Sequence, residues 1–256
     1  MNPIVRLESV SVERSGQRVV HEVDLTVGRG SWFGLIGANG SGKTSLLRAL
    51  AGRLPFAGGS CRIDGDELIL DRAARATRVG FSPPPDKLPD ALRVREALEL
   101  IGGGIDEILP RLGPLRAALA LDALLNRWIG DCSAGMRQRI AIALAFVDAP
   151  ALVILDEPFN WLDPVASFDL RQALRAMVDN GLTLMTALHD LGTLAAACDT
   201  GLMLADGRVA MALDDNLLRT AAQNPQAFER QMIDLLRSNG DEVNGRFGLG
   251  TGVSAL

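Results

Sequence analysis

The sequence has 256 residues, enough for one large domain or a domain carrying an inserted lobe. Hydrophobic residues make up 48%, so a sizeable core can be buried, but aromatics are only 4% and tyrosine is absent, which argues against a base-stacking surface. A net charge of −5 argues against a partner gripped through a phosphate backbone, so no nucleic-acid partner is expected.

The first two segments, IVRLESVSVE and RVVHEVDLTV, carry apolar residues at near-alternate positions and read as antiparallel strands joined through SGQ. His21, within the second, reads as a surface strand residue. SWFGLIG (Ser31 to Gly37) is a continuous apolar run, as expected of a strand covered on both faces. KTSLLRALAGRL, from Lys43 to Leu54, shows helical spacing at Leu46, Leu47 and Leu50, and SCRIDG is a short strand ending in an Asp64-Gly65 turn. From about Leu92 to Leu125 the composition turns to Leu, Ala and Arg at helical spacing, broken at Gly102–Gly104 and at Gly113-Pro114. This reads as a small helical lobe inserted between two halves of an α/β domain. SAGMRQRIAIALAFVD, to Asp148, resumes as one helix with Ser133 as N-cap, and Arg137 and Arg139 as charges on its face. ALVILD is a second buried strand. PVASFDLRQALRAMVDN is a helix with Pro164 in its first turn and Gly181 just past its end. LTLMTAL is a strand, TGLMLADGRVAMAL a hairpin around Asp206-Gly207, and DNLLRTAA and PQAFERQMIDLLRSN are helical stretches. The glycine-rich end is expected to be disordered. Strands alternating with helices predict a mostly parallel sheet flanked by helices.

Cys61, Cys132 and Cys198 have no CxxC spacing, which suggests neither a zinc site nor a disulfide framework and fits a reducing, cytoplasmic compartment. MNPIVRLESV lacks the basic-then-apolar pattern of a signal peptide. The longest charge-free stretch with a strong apolar core, Gly30 to Gly42, is too short and too glycine-rich to span a bilayer.

GANGSGKT, Gly37 to Thr44, satisfies G-x-x-x-x-G-K-[ST] between a buried strand and a helix. A loop that wraps a polyphosphate with inward-pointing N–H groups needs glycine for its dihedrals and close approach, and the helix N-terminus behind it favours anionic charge. Gly37, Asn39, Gly40, Ser41, Gly42, Lys43, Thr44 and Ser45 are therefore the candidate phosphate cradle. Lys43 would reach the β- and γ-phosphates and Thr44 would ligate Mg²⁺. A flexible glycine turn is the plainer reading, and the flanking strand and helix count against it. ALVILDEP supplies an apolar strand ending in Asp156, placed to bind Mg²⁺ through water, followed by Glu157, placed to take a proton from an attacking water.

With CSAGMRQR (Cys132 to Arg139) at a helix start before Asp156, NWLD after it and His189 in ALHDLG, the order of five motifs from about Ile4 to Leu213 resembles ABC ATPases, the nucleotide-binding domains of ATP-binding cassette transporters. The resemblance implies an α/β fold: a P-loop NTPase core with a mostly parallel sheet, an N-terminal antiparallel β subdomain and an inserted α-helical subdomain. It implies one cassette over residues 1–240, the helical part at about 84–148 inserted in a RecA-like core, and a tail at 241–256. Ser133 and Gly135 match signature positions that bind the γ-phosphate of ATP held by a partner subunit. Glu157 matches the general base, Asp163 the D-loop at the dimer seam, and His189 the switch histidine on the γ-phosphate. ATP and Mg²⁺ are the implied cofactors. The implied partners are integral membrane permease subunits and a second ATPase subunit, as a homodimer, placed peripherally on the inner face of the membrane.

The chain also departs from that pattern. The usual signature, Leu-Ser-Gly-Gly-Gln, reads Cys132-Ser133-Ala134-Gly135-Met136, and Met136 followed by RQR resembles export-type cassettes that pair with separate permeases. A glutamine that family members use on Mg²⁺ is matched by Pro84, between Pro83 and Pro85, and proline has no side-chain oxygen. Two readings follow: slow hydrolysis with water in place of the ligand, which is favoured, or Ser82 or Asp86 taking the role. No aromatic is available to stack on adenine, only Arg14 or Arg18, which predicts weak base discrimination. Competing classes are a soluble ABC ATPase acting on DNA or ribosomes, a P-loop kinase or GTPase, and a degenerate cassette serving as a structural partner in a heterodimer. The first lacks a second cassette or coiled coil, and the second lacks an N-K-x-D motif. Cargo is not written in this chain.

Overall fold

The structure, a computed structural model, describes residues 3–224 together with 226, 228 and 230. The helical stretch expected beyond Pro225 lies almost wholly outside these residues, and the tail at 241–256 lies wholly outside them.

The chain opens with β1 (Val5–Arg14) and β2 (Gln17–Val27), paired antiparallel as their alternation predicts. Ser15 and Gly16 between them have φ of 51° and 77°, the paired left-handed conformation of a tight hairpin turn. Then come β3 (Trp32–Ile36), α1 (Lys43–Leu50), β4 (Gly58–Ile63), β5 (Asp66–Glu67), α2 (Arg72–Arg78) and β6 (Val79–Phe81). The segment between β6 and β7 holds α3 (Val94–Gly102), α4 (Ile105–Arg111), α5 (Leu115–Ala118) and α6 (Ala134–Leu144), with short 3₁₀ turns and one isolated bridge, Arg93 to Trp128. The expected breaks fall at Gly103 (φ 88°) and Gly113 (φ 52°). β7 (Leu152–Asp156), α7 (Pro164–Asp179), β8 (Thr183–Leu188), α8 (Leu191–Ala197), β9 (Thr200–Ala205), β10 (Arg208–Leu213) and α9 (Asp215–Gln223) complete the described chain.

Two sheets result. One is antiparallel, in the order β2-β1-β4-β5; the other runs β10-β9-β3-β8-β7-β6, parallel from β9 to β6 with β10 antiparallel at its edge. The central strands explain their unbroken apolar runs, because each serves two cores. Trp32 and Ile36 of β3, Val153 and Leu155 of β7, and Leu184 and Leu188 of β8 face a core built with the helices from α3 onward. Phe33 and Leu35, Leu152 and Ile154, and Met185 and Ala187 face a second core shared with α1 and the antiparallel sheet. The six-stranded sheet is thus the common wall, and the loops at the C-terminal ends of its parallel strands gather the motif residues.

Three local expectations need correction. The helix expected to reach Leu54 ends at Leu50, because Gly52 takes φ 69° in close contact with the Arg72 carbonyl. The helix expected to reach Asp148 ends at Leu144, the following residues forming turns. Helix α2 was not anticipated: RAARATR has no apolar stripe, and what starts it is Asp71, whose carboxylate accepts from the Ala74 N–H at 2.9 Å. Its Arg75 is fully buried, donating to the carbonyls of Ala49, Leu54, Leu68 and Ile69 and lying over the Phe56 ring. Among the described residues no helix is long and apolar enough to cross a membrane.

Candidate active site

The loop from Gly37 to Gly42 carries the chain from the end of β3 into α1. Gly37 and Gly42 are steric requirements, whereas Gly40 has open space around it and is needed only for its φ of 83°. A Cβ on Gly37 would lie 2.2 Å from the Leu204 carbonyl oxygen, and one on Gly42, where φ is 99°, would lie 2.7 Å from the Val19 carbonyl oxygen. The Ser41 N–H bonds the Ala38 carbonyl at 3.1 Å, and Gly207 in the β9–β10 turn props the loop by donating to the Ser41 carbonyl at 3.1 Å. Lys43 folds back over the loop, its Nζ donating to the carbonyls of Gly37 at 2.6 Å and Ala38 at 3.1 Å. Burial pulls its pKa below the ordinary lysine value, while the Glu157 and Asp156 carboxylates work the other way. Ser41 Oγ is buried without a hydrogen-bond partner, alone in this among the described residues. A buried hydroxyl left unpaired beside a buried ammonium and a helix N-terminus is what a phosphate oxygen would satisfy.

Asp156 ends β7, and its Oδ1 accepts from Thr44 Oγ1 at 3.2 Å. Burial pushes the Asp156 carboxyl up from its ordinary value, against the Thr44 hydrogen bond. Two hard oxygens side by side fit Mg²⁺, which takes one or two protein oxygens and completes its shell with substrate phosphate and water. Among the described residues no group of three or more His, Cys, Asp or Glu side chains could hold a metal ion.

Glu157 follows with φ 52°, a left-handed backbone on a non-glycine residue. Its N–H donates to the Ala187 carbonyl at 3.2 Å; its own carbonyl accepts from the Asn160 N–H at 3.2 Å and from Gln138 Nε2 at 3.3 Å. Gln138 Nε2 also donates to the Pro158 carbonyl at 3.1 Å. The Glu157 side chain is held at one oxygen, Oε2 accepting from Asn160 Nδ2 at 2.6 Å, while Oε1 lies 3.6 Å from Nδ1 of His189, just past β8.

A cavity of about 580 Å³ runs along the loop from Asn39 to Ser45 and reaches Arg14 and Glu157. A smaller one, about 280 Å³, adjoins it through Thr44, Arg48 and Glu157 and is lined also by Asp156, Ser82, Pro84 and Trp161. Of the two stand-ins for the missing glutamine, Ser82 therefore borders this space. Asp86 borders neither cavity and pairs with Lys87 at 3.1 Å in an exposed turn. Arg18 pairs with Glu13 at 3.6 Å, whereas Arg14 faces the larger cavity.

Ser133, Gly135 and Asp163 line neither cavity. Ser133 caps α6, accepting from the Met136 N–H at 3.3 Å, and Asp163 caps α7, accepting from the Ala166 N–H at 2.9 Å, a bond that holds its carboxyl below the usual range. The start of α6 nonetheless touches the segment after Glu157: a Cβ on Gly135 would lie 2.6 Å from the Trp161 carbonyl oxygen, and Arg139 reaches Asp163 at 3.5 Å. Arg137 pairs with Asp90, so both arginines are helix-face charges. His21 sits in β2 as expected. Sequence reasoning missed Gln138, Asn160 and Arg48. Asn160 was findable as the third residue after Glu157, where a tight turn brings it back; the bonds of Gln138 carry no local signal.

Comparison with known proteins gives one consistent picture. The family model described as "ABC transporter" matches residues 20–160. The Nod factor export ATP-binding protein I of Cupriavidus pinatubonensis is 35% identical over 219 residues, covering 81% of this chain and 67% of that protein. The hemin import ATP-binding protein HmuV of Pseudomonas fluorescens is 33% identical over 220 residues, covering 80% and 84%. A solved structure described as the ATP-binding subunit of an ABC transporter superposes with a TM-score of 0.78 at 27% identity, covering 91% of this chain and 99% of that one.

Proposed function

The chain belongs to the ABC transporter family as an ATP-binding, ATP-hydrolysing subunit, and from that premise we propose that it works as a head-to-tail homodimer powering separate membrane permease subunits from the cytoplasmic face. The observation that carries this reading is an incomplete site. Lys43, Thr44, Asp156 and Glu157 converge on one pair of adjoining cavities, while Ser133 and Gly135 sit outside them at the start of α6. A second cassette bringing its own Ser133 and Gly135 to the open side would complete it.

In this mechanism the loop N–H groups and Ser41 Oγ receive phosphate oxygens, and Lys43 leaves its carbonyl partners for the β- and γ-phosphates. Thr44 and Asp156 would hold Mg²⁺, which supplies charge neutralisation on those phosphates. Glu157 accepts the proton of the attacking water, His189 faces the γ-phosphate, and Arg14 lies under the base. Catalysis is positioning and charge stabilisation, with little covalent work for the protein. Pro84 leaves one positioning group missing, which favours slow turnover. Export is proposed on Met136 and the Nod factor relative; the permease that co-purifies would identify cargo and direction.

The test is Mg²⁺-dependent phosphate release by the wild type and by Glu157→Gln, with light scattering under ATP. Loss of a general base lowers turnover about 10²–10⁴-fold, and the variant should accumulate as an ATP-loaded dimer. Unchanged turnover, or a loaded variant that stays monomeric, would overturn the proposal.

A further inference from the structure

We propose that Asn160 is a positioning residue for Glu157, fixing the rotamer of the catalytic carboxylate; this rests on the reading of Glu157 as the general base. The geometry is local and closed. The backbone of Glu157 is pinned on both sides, its N–H to Ala187 and its carbonyl to Gln138. The Asn160 N–H turns back onto the same carbonyl at 3.2 Å, which returns the Asn160 side chain over the glutamate. Its Nδ2 then donates to Oε2 at 2.6 Å, a charge-assisted bond. Glutamate carries three side-chain torsions, so an unrestrained carboxylate spends much of its time away from the attacking water. His189, on the other oxygen at 3.6 Å and half-exposed, is too distant to fix it alone. Gln138, 5% exposed in α6, anchors the base of this turn through the backbone carbonyls of Glu157 and Pro158, so α6 and the backbone that carries the catalytic carboxylate are tied through one buried amide.

The change Asn160→Leu keeps approximately the same size and removes the donor without adding a charge beside Glu157; Asn160→Ala removes both size and donor. With a charged hydrogen bond lost, kcat should fall about ten- to a hundredfold in both variants, with KM for ATP within about twofold of wild type. The same substitutions placed in Glu157→Gln should leave its residual turnover unchanged within about twofold, because there is no carboxylate left to orient. Thermal midpoints identify any variant that fails to fold, and Asn160→Leu then carries the test if Asn160→Ala does not. A role in packing alone would spare Asn160→Leu, and this outcome overturns the proposal. So does a kcat loss of equal size in the Glu157→Gln background. If Glu157→Gln itself turns over normally, the reading of the base fails first and this inference falls with it; if that variant is inactive while Asn160→Leu is unimpaired, only the positioning role falls.

Discussion

Gly135 offers a test of how tightly α6 is fitted against the segment that follows Glu157. It is the second residue of α6, and its conformation is one that alanine adopts freely, so in an isolated helix Gly135→Ala gains roughly 0.5–1 kcal/mol. In the protein the added methyl would start 2.6 Å from the Trp161 carbonyl oxygen and must move to the 3.4 Å of an ordinary contact. Overpacking of that kind costs about 1–3 kcal/mol, so the net effect is a loss on the order of 1 kcal/mol, or roughly 2–4 °C in Tm. Gly192 supplies the control. It is also the second residue of its helix, α8, but a Cβ there meets nothing closer than Asp190 Oδ1 at 3.5 Å, so Gly192→Ala should hold or raise Tm. Calorimetry of the nucleotide-free variants reads both. If both substitutions raise Tm alike, the close approach of α6 to Trp161 is wrong.

Arg75→Met should destabilise strongly: it abandons four carbonyls, two of them in buried bonds, a loss of roughly 3 kcal/mol, visible as a large drop in the urea midpoint. Asp156→Asn should raise the Tm of the nucleotide-free protein at pH 7 while abolishing the stabilisation given by Mg²⁺ and ATP. The sign follows from the raised pKa of Asp156: its ionised form opposes folding at neutral pH and is relieved as pH falls through the folded pKa toward the ordinary value. The variant's advantage should therefore shrink on acidification, and a variant less stable than wild type at pH 7 would count against the burial argument. With Arg14 and no aromatic at the mouth of the larger cavity, GTP should compete with ATP within about tenfold, since a base–aromatic stack is worth only ~1–3 kcal/mol; strict ATP selectivity in a competition assay would contradict it.

The phosphate loop, the Asp156-Glu157 pair and the hairpins were legible because each is written locally: glycines at forced dihedrals, an acidic pair closing an apolar strand, turn residues between alternating runs. The cap at Ser133 was legible for the same reason. What escaped were features set by distant partners. Arg75 looks like a surface charge in RAARATR until the carbonyls of Ala49 and Leu54 are brought to it, and Gln138 looks like one more polar residue of α6 until β7 delivers Glu157 and Pro158. The end of α1 was misjudged because the contact that stops it, at Gly52, comes from α2. Periodicity sees one element at a time, and these positions are decided between elements.

The turn after Glu157 also places an indole where an optical experiment needs one. The chain has three tryptophans and no tyrosine, so its near-ultraviolet emission is that of indole alone. Trp32 is sealed in the core with its Nε1–H on Thr186, and Trp128, 43% exposed, lies beneath the Arg93 guanidinium, outside both cavities. Trp161 is 73% exposed, one residue from Asn160. Its fluorescence maximum should report, without any attached dye and in real time, whenever something approaches the rim of the catalytic centre.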